Sequence, residues 1–527
     1  MGSIWSDGTS IDAVDGSDVS KLDRKIKIIW RQDRIRITKQ DYGQVGSNFN
    51  GWRKPVSKFA RNEGILAEHL RENVYIGEYD ISDGLWQKSC GVVDEITRFF
   101  HVTLKKKTSR YYPCIIFGDF VKQGSSREGL KIGQPDEFDL ILPFTIEGVD
   151  LHAVPALDKN GELIPAHMKL QISDYAQIQN VKNGILYQSL RKNGVFEKCG
   201  SDLFLNAMCF QTRVISSIME TTIAEIQKKI DAKNRNQACS FTLSKTSVFP
   251  PTFRFRIKIK SDADFDELSY GKKLFSRREG RIAAAATRVW NATYKVIEFD
   301  IVPGLLLQTD SVPNPDSWWF SMTCERYAVI KWIHKGRYAD KYPEPNLLWR
   351  ESSCGYEKHI LDVSSRNHSD VYILTACRVL KAYLDGLGNS SQLGSLLTSY
   401  HIKNLAIHCI LLQLHASGVK EALGYLIAFL EIGLEMEFLP HYFYGNPYIS
   451  SMFPKLSANA NQRRFNLFRN IPHDHFAQAI LSLRGMKADL YGLFTESSYL
   501  GNHQNIDSFG KLCTLYDEDT SGRCLLM

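Results

Sequence analysis

The sequence is marked first by what it does not contain. No long apolar run is uninterrupted: the longest, Ala422 to Leu439, is broken by Glu431, Glu435 and Glu437. That spacing reads as a buried amphipathic helix and not as a membrane span. The eleven cysteines include no C-x-x-C pair, and no secretory signal is read ahead of them. The expectation is a reduced, cytoplasmic chain with free thiols. There is no internal repeat. Nor is there a strong charge imbalance: a net charge of +7 admits nucleic-acid or anionic-lipid partners without requiring them, so local clusters decide.

What remains is an ordinary water-soluble composition, 43% hydrophobic and 23% charged, over 527 residues. That length suits two or three lobes. Residues 1–20 are polar and read as disordered, and residues 21–39 carry eight basic against two acidic side chains. Leu85, Val92, Ile96 and Phe99 form one stripe of a helix over 84–107 that ends in Lys105, Lys106 and Lys107. Strand patterns follow in YYPCIIFGDF, EFDLILPF, TFRFRIKIK and YKVIEFDIVP. In TFRFRIKIK, Phe253, Phe255, Ile257 and Ile259 share one face, while Arg254, Arg256, Lys258 and Lys260 share the other. From about residue 371 the pattern is helical, and from 500 it is polar and reads as a mobile tail. The expected divisions are a flexible basic segment over 1–75, a mixed-sheet core over 76–335, a helical lobe over 336–495 and a flexible tail over 496–527.

The most informative point is Glu137-Phe138-Asp139. Residues two apart on a strand share a face, so both carboxylates project together while Phe138, Leu140 and Leu142 face a core. Adjacent carboxylates repel unless a cation lies between them, and hard oxygen ligands suit Mg²⁺ or Mn²⁺. A solvated strand face is the plainer alternative. Just upstream, Gly124-Ser125-Ser126 sits in a small-residue loop where backbone N–H groups and a hydroxyl can approach phosphate oxygens. A third carboxylate is expected on a neighbouring strand. Asp300, inside the apolar run from Val296 to Val302, is the candidate, with Glu298 an alternative by spacing.

Together these residues resemble cyclic GMP–AMP synthase (cGAS) and the animal cGAS-like receptors. The block GSSREGLKIGQPDEFDLILPF is similar to the family's signature without a gap, and the resemblance favours Asp300 over Glu298. WRESSCGYEKHIL, at 349–361, is the second match; by position Arg350, Ser352 and Glu357 would contact the nucleobase and ribose. In SYHIKN, at 399–404, Tyr400 would stack on a base and Ser399 would contact the nucleotide. Lys381 matches a lysine on the donor phosphates, with looser alignment. Without the family, Arg350 and Glu357 are equally readable as a structural ion pair, Tyr400 as a core aromatic and Lys381 as a solvated helix residue.

The resemblance implies an α+β, bilobal nucleotidyltransferase fold: a mixed β-sheet catalytic lobe with a spine helix, and a C-terminal helical lobe. It implies two Mg²⁺ or Mn²⁺ ions on Glu137, Asp139 and Asp300, ATP and GTP as substrates, and a cyclic dinucleotide as product. Two departures stand out. Where cGAS has a zinc-binding insertion, this chain offers only His368 and Cys377, so no zinc is expected. Val302 stands where cGAS has a threonine that touches substrate.

That missing insertion turns the expected activator from duplex DNA to double-stranded RNA. Lys105, Lys106, Lys107 and Arg110 would meet its phosphates, with dimerisation on the duplex left open. A solubilising helix end is the plain alternative. Lys272, Lys273, Arg277 and Arg278 form another basic patch. At the termini, Gly2 fits a myristoylation pattern and Cys524 a C-a-a-X box, which would add membrane association supported by the basic run 21–39. The competing functions are a catalytically silent scaffold, an RNA nucleotidyltransferase with linear products, and a lipid-anchored adaptor.

Overall fold

The computed structural model describes residues 16–31, 51–55, 57–64, 67, 81–236, 240–249, 252–260, 294–314, 317–330, 342–387, 391–449, 453, 464–492, 508–511 and 513. Gly2, Cys524, residues 32–39 and the patch Lys272, Lys273, Arg277 and Arg278 lie outside the described residues. In chain order the elements used below are α1 (Gly16–Arg31), α2 (Asp83–Tyr111), β1 (Ile115–Phe117), β2 (Val121–Gln123) and α3 (Ser125–Glu128). Then come β3 (Glu137–Ile146), β4 (Leu151–Leu157), β5 (Leu163–Ile172), β6 (Phe196–Cys199), β7 (Asp202–Leu205) and α4 (Ser216–Asn236). Next are β8 (Phe241–Phe249), β9 (Thr252–Lys260), β10 (Tyr294–Asn314), β11 (Ser317–Val329) and β12 (Trp349–Ser352). Helices α5 (Cys354–Ser364), α6 (Asp370–Leu387), α7 (Ser399–Leu411), α8 (Val419–Glu435) and α9 (His473–Gly492) complete the list.

The strands join one mixed sheet along the path β1-β3-β10-β11-β12-β5-β7-β6, with β2 also on β3, β4 on β5, β9 on β10 and β8 on β9. The strict alternation of β9 is what buries it: Phe253, Phe255, Ile257 and Ile259 are all in the core. Phe255 stacks on Phe299 of β10 at 5.2 Å and meets Phe100 of α2 at 5.3 Å. Helix α2 starts at Ser82, whose hydroxyl accepts from the Leu85 amide at 3.3 Å, the usual N-cap device. It buries Trp86, Val92, Val93, Ile96, Phe100 and Leu104. The expected stripe is right at Val92 and Ile96; Leu85 and Phe99 sit at its edge, because Trp86 and Phe100 take the central positions.

A second apolar core belongs to α5–α9. The expected α+β, two-lobed architecture is therefore present, with the sheet core and the helical core adjoining through β12 and α5. Trp349, fully buried, donates its indole N–H to the Leu205 carbonyl at 3.1 Å and ties β12 to the end of β7 across β5. The run from Ala422 lies in α8 as a buried helix whose Glu431 pairs with Lys487 at 2.6 Å. Among the described residues no helix is long and apolar enough to cross a membrane.

Two expectations need correction. Within the segment expected to be flexible to residue 75, residues 16–31 form α1, and Val19, Leu22, Ile26 and Trp30 are buried against α2 and α4. Their i, i+3, i+7, i+11 spacing is a helical stripe that the dense basic charge obscured. Several of those charges are used locally: Lys25 pairs with Glu95 at 3.2 Å and Lys27 with Asp23 at 3.0 Å. Residues 51–55 and 57–64 are also laid against the fold. In the tail, residues 508–511 are helical and Phe509 stacks on Phe429 at 4.0 Å with Cys513 buried. Two apolar side chains in a polar stretch suffice to dock it, and composition alone cannot reveal that.

Ile26 is fully buried, so Ile26→Ala should lower unfolding free energy by about 2–5 kcal/mol in urea titration. A change below about 0.5 kcal/mol, the usual scale for surface substitutions, would mean that α1 is not docked.

Candidate active site

Strands β3 and β10 run parallel in register, with Glu137 beside Glu298 and Asp139 beside Asp300. Register and alternation together place these four carboxylates on one face. Phe138 and Phe299 point to the other face and are fully buried, which fixes the carboxylates' direction. The cost of that arrangement falls on Asp139. Burial, then repulsion from Glu137, Asp300 and Glu128, pushes its carboxyl up to about 7 against a pull from Lys131. Lys131 lies 3.5 Å from Glu137 and 3.3 Å from Asp136.

The compensating cations come from β9. Arg254, opposite Asp300 in the antiparallel ladder, grips it with two bonds of 2.8 Å, from Nε to Oδ1 and from Nη2 to Oδ2. It also stands 3.8 Å from Glu137 and 3.9 Å from Glu298. Hydrogen bonding to Asp300 raises the Arg254 pKa, so the guanidinium stays charged. Arg256 bonds Glu298 at 2.8 Å through Nε. Among the described residues no three His, Cys, Asp or Glu side chains converge as metal ligands would; the Asp300 carboxylate is turned onto Arg254. The donor set itself fits a hard cation: several carboxylates on adjacent strands, one pushed up by burial and by its neighbours' charges, and a guanidinium standing in as counter-charge.

The expected Gly-Ser loop is a turn followed by one helical turn, α3. Gly124 has φ +69° and a β-carbon there would sit 1.9 Å from Asp139 Oδ2. Only glycine permits both the backbone and the approach. The Ser126 hydroxyl donates to the Glu137 carbonyl at 2.7 Å. Arg127 donates to both oxygens of Asp362 at 3.1 and 2.9 Å, so the turn is fastened to the carboxylate strand and to α5 at once.

The residues expected to contact nucleotide fall around α5 and α7. Arg350 and Ser352 are half-buried on β12, and Glu357 is buried in α5. Glu357 pairs with Lys403, not with Arg350, and Lys403 also bonds both oxygens of Glu128 at 3.1 and 3.0 Å. Burial and the neighbouring Glu128 raise the Glu357 pKa, while Lys403 opposes them. Lys381 is not solvated: it is buried and donates to the Leu130 carbonyl at 2.8 Å, and burial brings its ammonium down to about 8.

Ser399, exposed, opens α7, and half-buried Tyr400 bonds His441 Nε2 at 2.8 Å. His441 Nδ1 accepts from the Phe443 amide at 3.1 Å, so Nε2 carries the proton and donates it to the tyrosine oxygen. Burial, with Arg350 nearby, holds His441 neutral.

Residues 126–363 match the family model of the Mab-21 protein nucleotidyltransferase domain. This stretch is a cGAS-like nucleotidyltransferase domain. None of the curated proteins is similar enough to the chain to count as a match. Among solved structures the chain is similar to the CdnC:HORMA-deltaN complex of E. coli MS115-1, at 10% identity over 85% of this chain and 95% of that one, with TM-score 0.38. It is similar to the STING-associated CdnE c-di-GMP synthase of Capnocytophaga granulosa, at 10% identity over 90% and 99%, with TM-score 0.33. A further similar structure is the Elizabethkingia meningoseptica CdnE cyclic dinucleotide synthase with GTP and Apcpp, at 10% identity over 82% and 99%, with TM-score 0.32.

The nucleotidyltransferase domain match contains Glu137, Asp139, Asp300, Arg350, Ser352 and Glu357; Gly124, Ser125, Lys381, Ser399 and Tyr400 flank it. Sequence reading missed Arg254, Glu128, Lys403 and His441. The first three lie inside blocks already quoted, but only cross-strand register and helix packing reveal their partners. At the end of α2, Lys105 stands 3.6 Å from Asp119, and Lys107 pairs with Glu225 at 2.7 Å. Lys106 and Arg110 are exposed, the latter 5.5 Å from the Tyr111 ring.

Gly124→Ala should weaken nucleoside-triphosphate binding by about tenfold or more, with far-UV circular dichroism unchanged, because a methyl group there displaces the Asp139 carboxylate. Wild-type affinity in a titration with a non-hydrolysable triphosphate would refute the close approach.

Proposed function

We propose that the chain joins ATP and GTP into a cyclic dinucleotide second messenger of innate immune signalling, under control of double-stranded RNA. What carries the reading is the in-register carboxylate face of Glu137, Asp139 and Asp300 beneath the Gly124 turn. Glu137, Asp139 and Asp300 would hold two Mg²⁺ or Mn²⁺ ions, which supply activation of the attacking ribose hydroxyl and neutralise the leaving pyrophosphate. For Asp300 to join, Arg254 must swing away from it; its partly exposed side chain has room to do so. Gly124 and Ser125 would cradle the triphosphate, Lys381 would add positive potential behind it, and Tyr400, oriented by His441, would face a base. Arg350, Ser352 and Glu357 would take the ribose and base edges. Two rounds of transfer at one site would give first a linear dinucleotide and then the ring.

A catalytically silent scaffold is the second reading, and one observation favours it: Asp300 is already neutralised by Arg254. Incubation with all four ribonucleoside triphosphates, Mg²⁺ or Mn²⁺, and duplex RNA or DNA, followed by mass spectrometry, separates the readings. A cyclic product is expected. Only linear products would indicate an RNA nucleotidyltransferase, and none at all a scaffold. Asp139→Asn and Asp300→Asn should each reduce product to background while melting temperatures stay near wild type, since a neutral amide cannot balance the cations.

For the activator, Lys105, Lys106 and Arg110 are exposed cations at the end of α2, Lys105 lying beside Asp119. Double charge reversal, Lys106→Glu with Arg110→Glu, should weaken RNA binding and activation together and flatten the salt dependence of binding. Activation by DNA and not RNA would overturn this part. The motifs at Gly2 and Cys524 extend the proposal to a cytoplasmic enzyme held at a membrane surface.

A further inference from the structure

Residues 51–55 and 57–64 precede the matched domain, and Arg53 among them reaches the Gly124 turn at Ser126 and beside Gly129. The Trp52 ring meets Phe138 edge-on at 4.8 Å, behind the strand that carries Glu137 and Asp139. Its indole N–H donates to Asp94 of α2 at 2.8 Å, and Lys122 of β2 donates to the other oxygen of Asp94 at 2.9 Å. Lys122 also lies 4.8 Å from the Trp52 ring. The next residue reaches the turn itself. The Arg53 amide donates to the Ser126 carbonyl at 3.0 Å. Its guanidinium lies 3.1 Å from Asp362, the carboxylate that also holds Arg127, and donates to Ser365 at 2.9 Å. Gly129, at φ +73°, makes room for the Arg53 stem: a β-carbon there would be 3.0 Å from Arg53 Cδ.

Beyond Arg53 the segment runs over the helical lobe. The Lys58 amide donates to Thr375 at 3.1 Å, and Arg378 donates to the Ser57 hydroxyl at 2.6 Å. Glu63 accepts from the Val419 and Lys420 amides at 3.0 and 2.8 Å and so caps α8. One short segment therefore bridges α2, β2, β3, α3 and α5 before binding the lobe behind them.

We propose that residues 51–55 and 57–64 act as a positioning strap, with Trp52 and Arg53 holding the Gly124–Gly129 turn and the carboxylate strand in the geometry that receives a triphosphate. Neither residue would touch nucleotide. Trp52 sits behind Phe138, on the face opposite the carboxylates, and Arg53 acts through Ser126 and Asp362. Because Asp94 holds both Trp52 and Lys122, a shift of α2 would reach the turn by two routes, through β2 and through the strap.

The kinetic consequence rests on the function proposed above; the structural one does not. In the full chain, the amides of Arg127, Glu128 and Leu130, which bond Gly124 and Ser125 carbonyls, report the turn directly by hydrogen exchange. Trp52→Ala and Arg53→Ala should each speed their exchange by about tenfold, while peptides from 419–435 keep wild-type rates. Arg53→Lys, which keeps a cation beside Asp362, should recover part of the protection. In the kinetic arm, KM for the triphosphates should rise in Trp52→Ala and Arg53→Ala, with partial rescue by Arg53→Lys. Wild-type exchange of the turn amides in both alanine variants would overturn the proposal, as would equal acceleration across 419–435. A wild-type protein that makes no product would sink the enzymatic reading alone, since the exchange result still decides the strap.

Discussion

Parallel pairing of β3 with β10 is the constraint to which the rest of the site answers. It sets Glu137, Asp139, Glu298 and Asp300 side by side, and four like charges on two adjacent strands cannot stand without opposite charge nearby. The fold meets this from below and from the side. From below, Phe138, Phe299 and Phe255 lock the strands' orientation, so the carboxylates cannot rotate into the core. From the side, Arg254 and Arg256 arrive on the polar face of β9, and Lys131 closes the near end. The buried Lys403, gripped by Glu128 and Glu357, repeats the same solution one layer deeper. Charge balance, more than apolar packing, decides which side chains in this region can move.

Much of this was legible from period and spacing. The alternation of residues 252–260 announced a buried strand, Glu137 and Asp139 announced a shared face, and the resemblance selected Asp300 over Glu298. Register was not legible, because it is set by pairing between segments far apart in sequence. The carboxylates could therefore be named, while their partner Arg254 could not, although its strand and face were both correctly read. Lys381 shows the same limit: a lysine in a helical pattern looks solvated until the Leu130 carbonyl is found beside it.

The N-terminal region failed for a different reason. Charge dominated its composition, and four apolar side chains at helical spacing within α1 were outweighed in the reading although they suffice to dock the helix. Residues 51–64 have no period at all. Those of them that the structure describes form no long element, and they are held by hydrogen bonds, an ion pair and a ring contact to sites that only the folded chain assembles, which is information no local pattern can carry.

Those contacts also set an order of events. Arg53 and Ser365 are 312 positions apart, and Glu63 and Lys420 are 357 apart. A chain made from its N-terminus releases residues 51–64 long before α5, α6 or α8 exist, and contacts this distant in sequence close late. The sheet can form around its own core first. The turn that begins at Gly124 would then stay loosely held until the helical lobe is complete, so a nascent or truncated chain would carry its carboxylates before it could seat a triphosphate beside them.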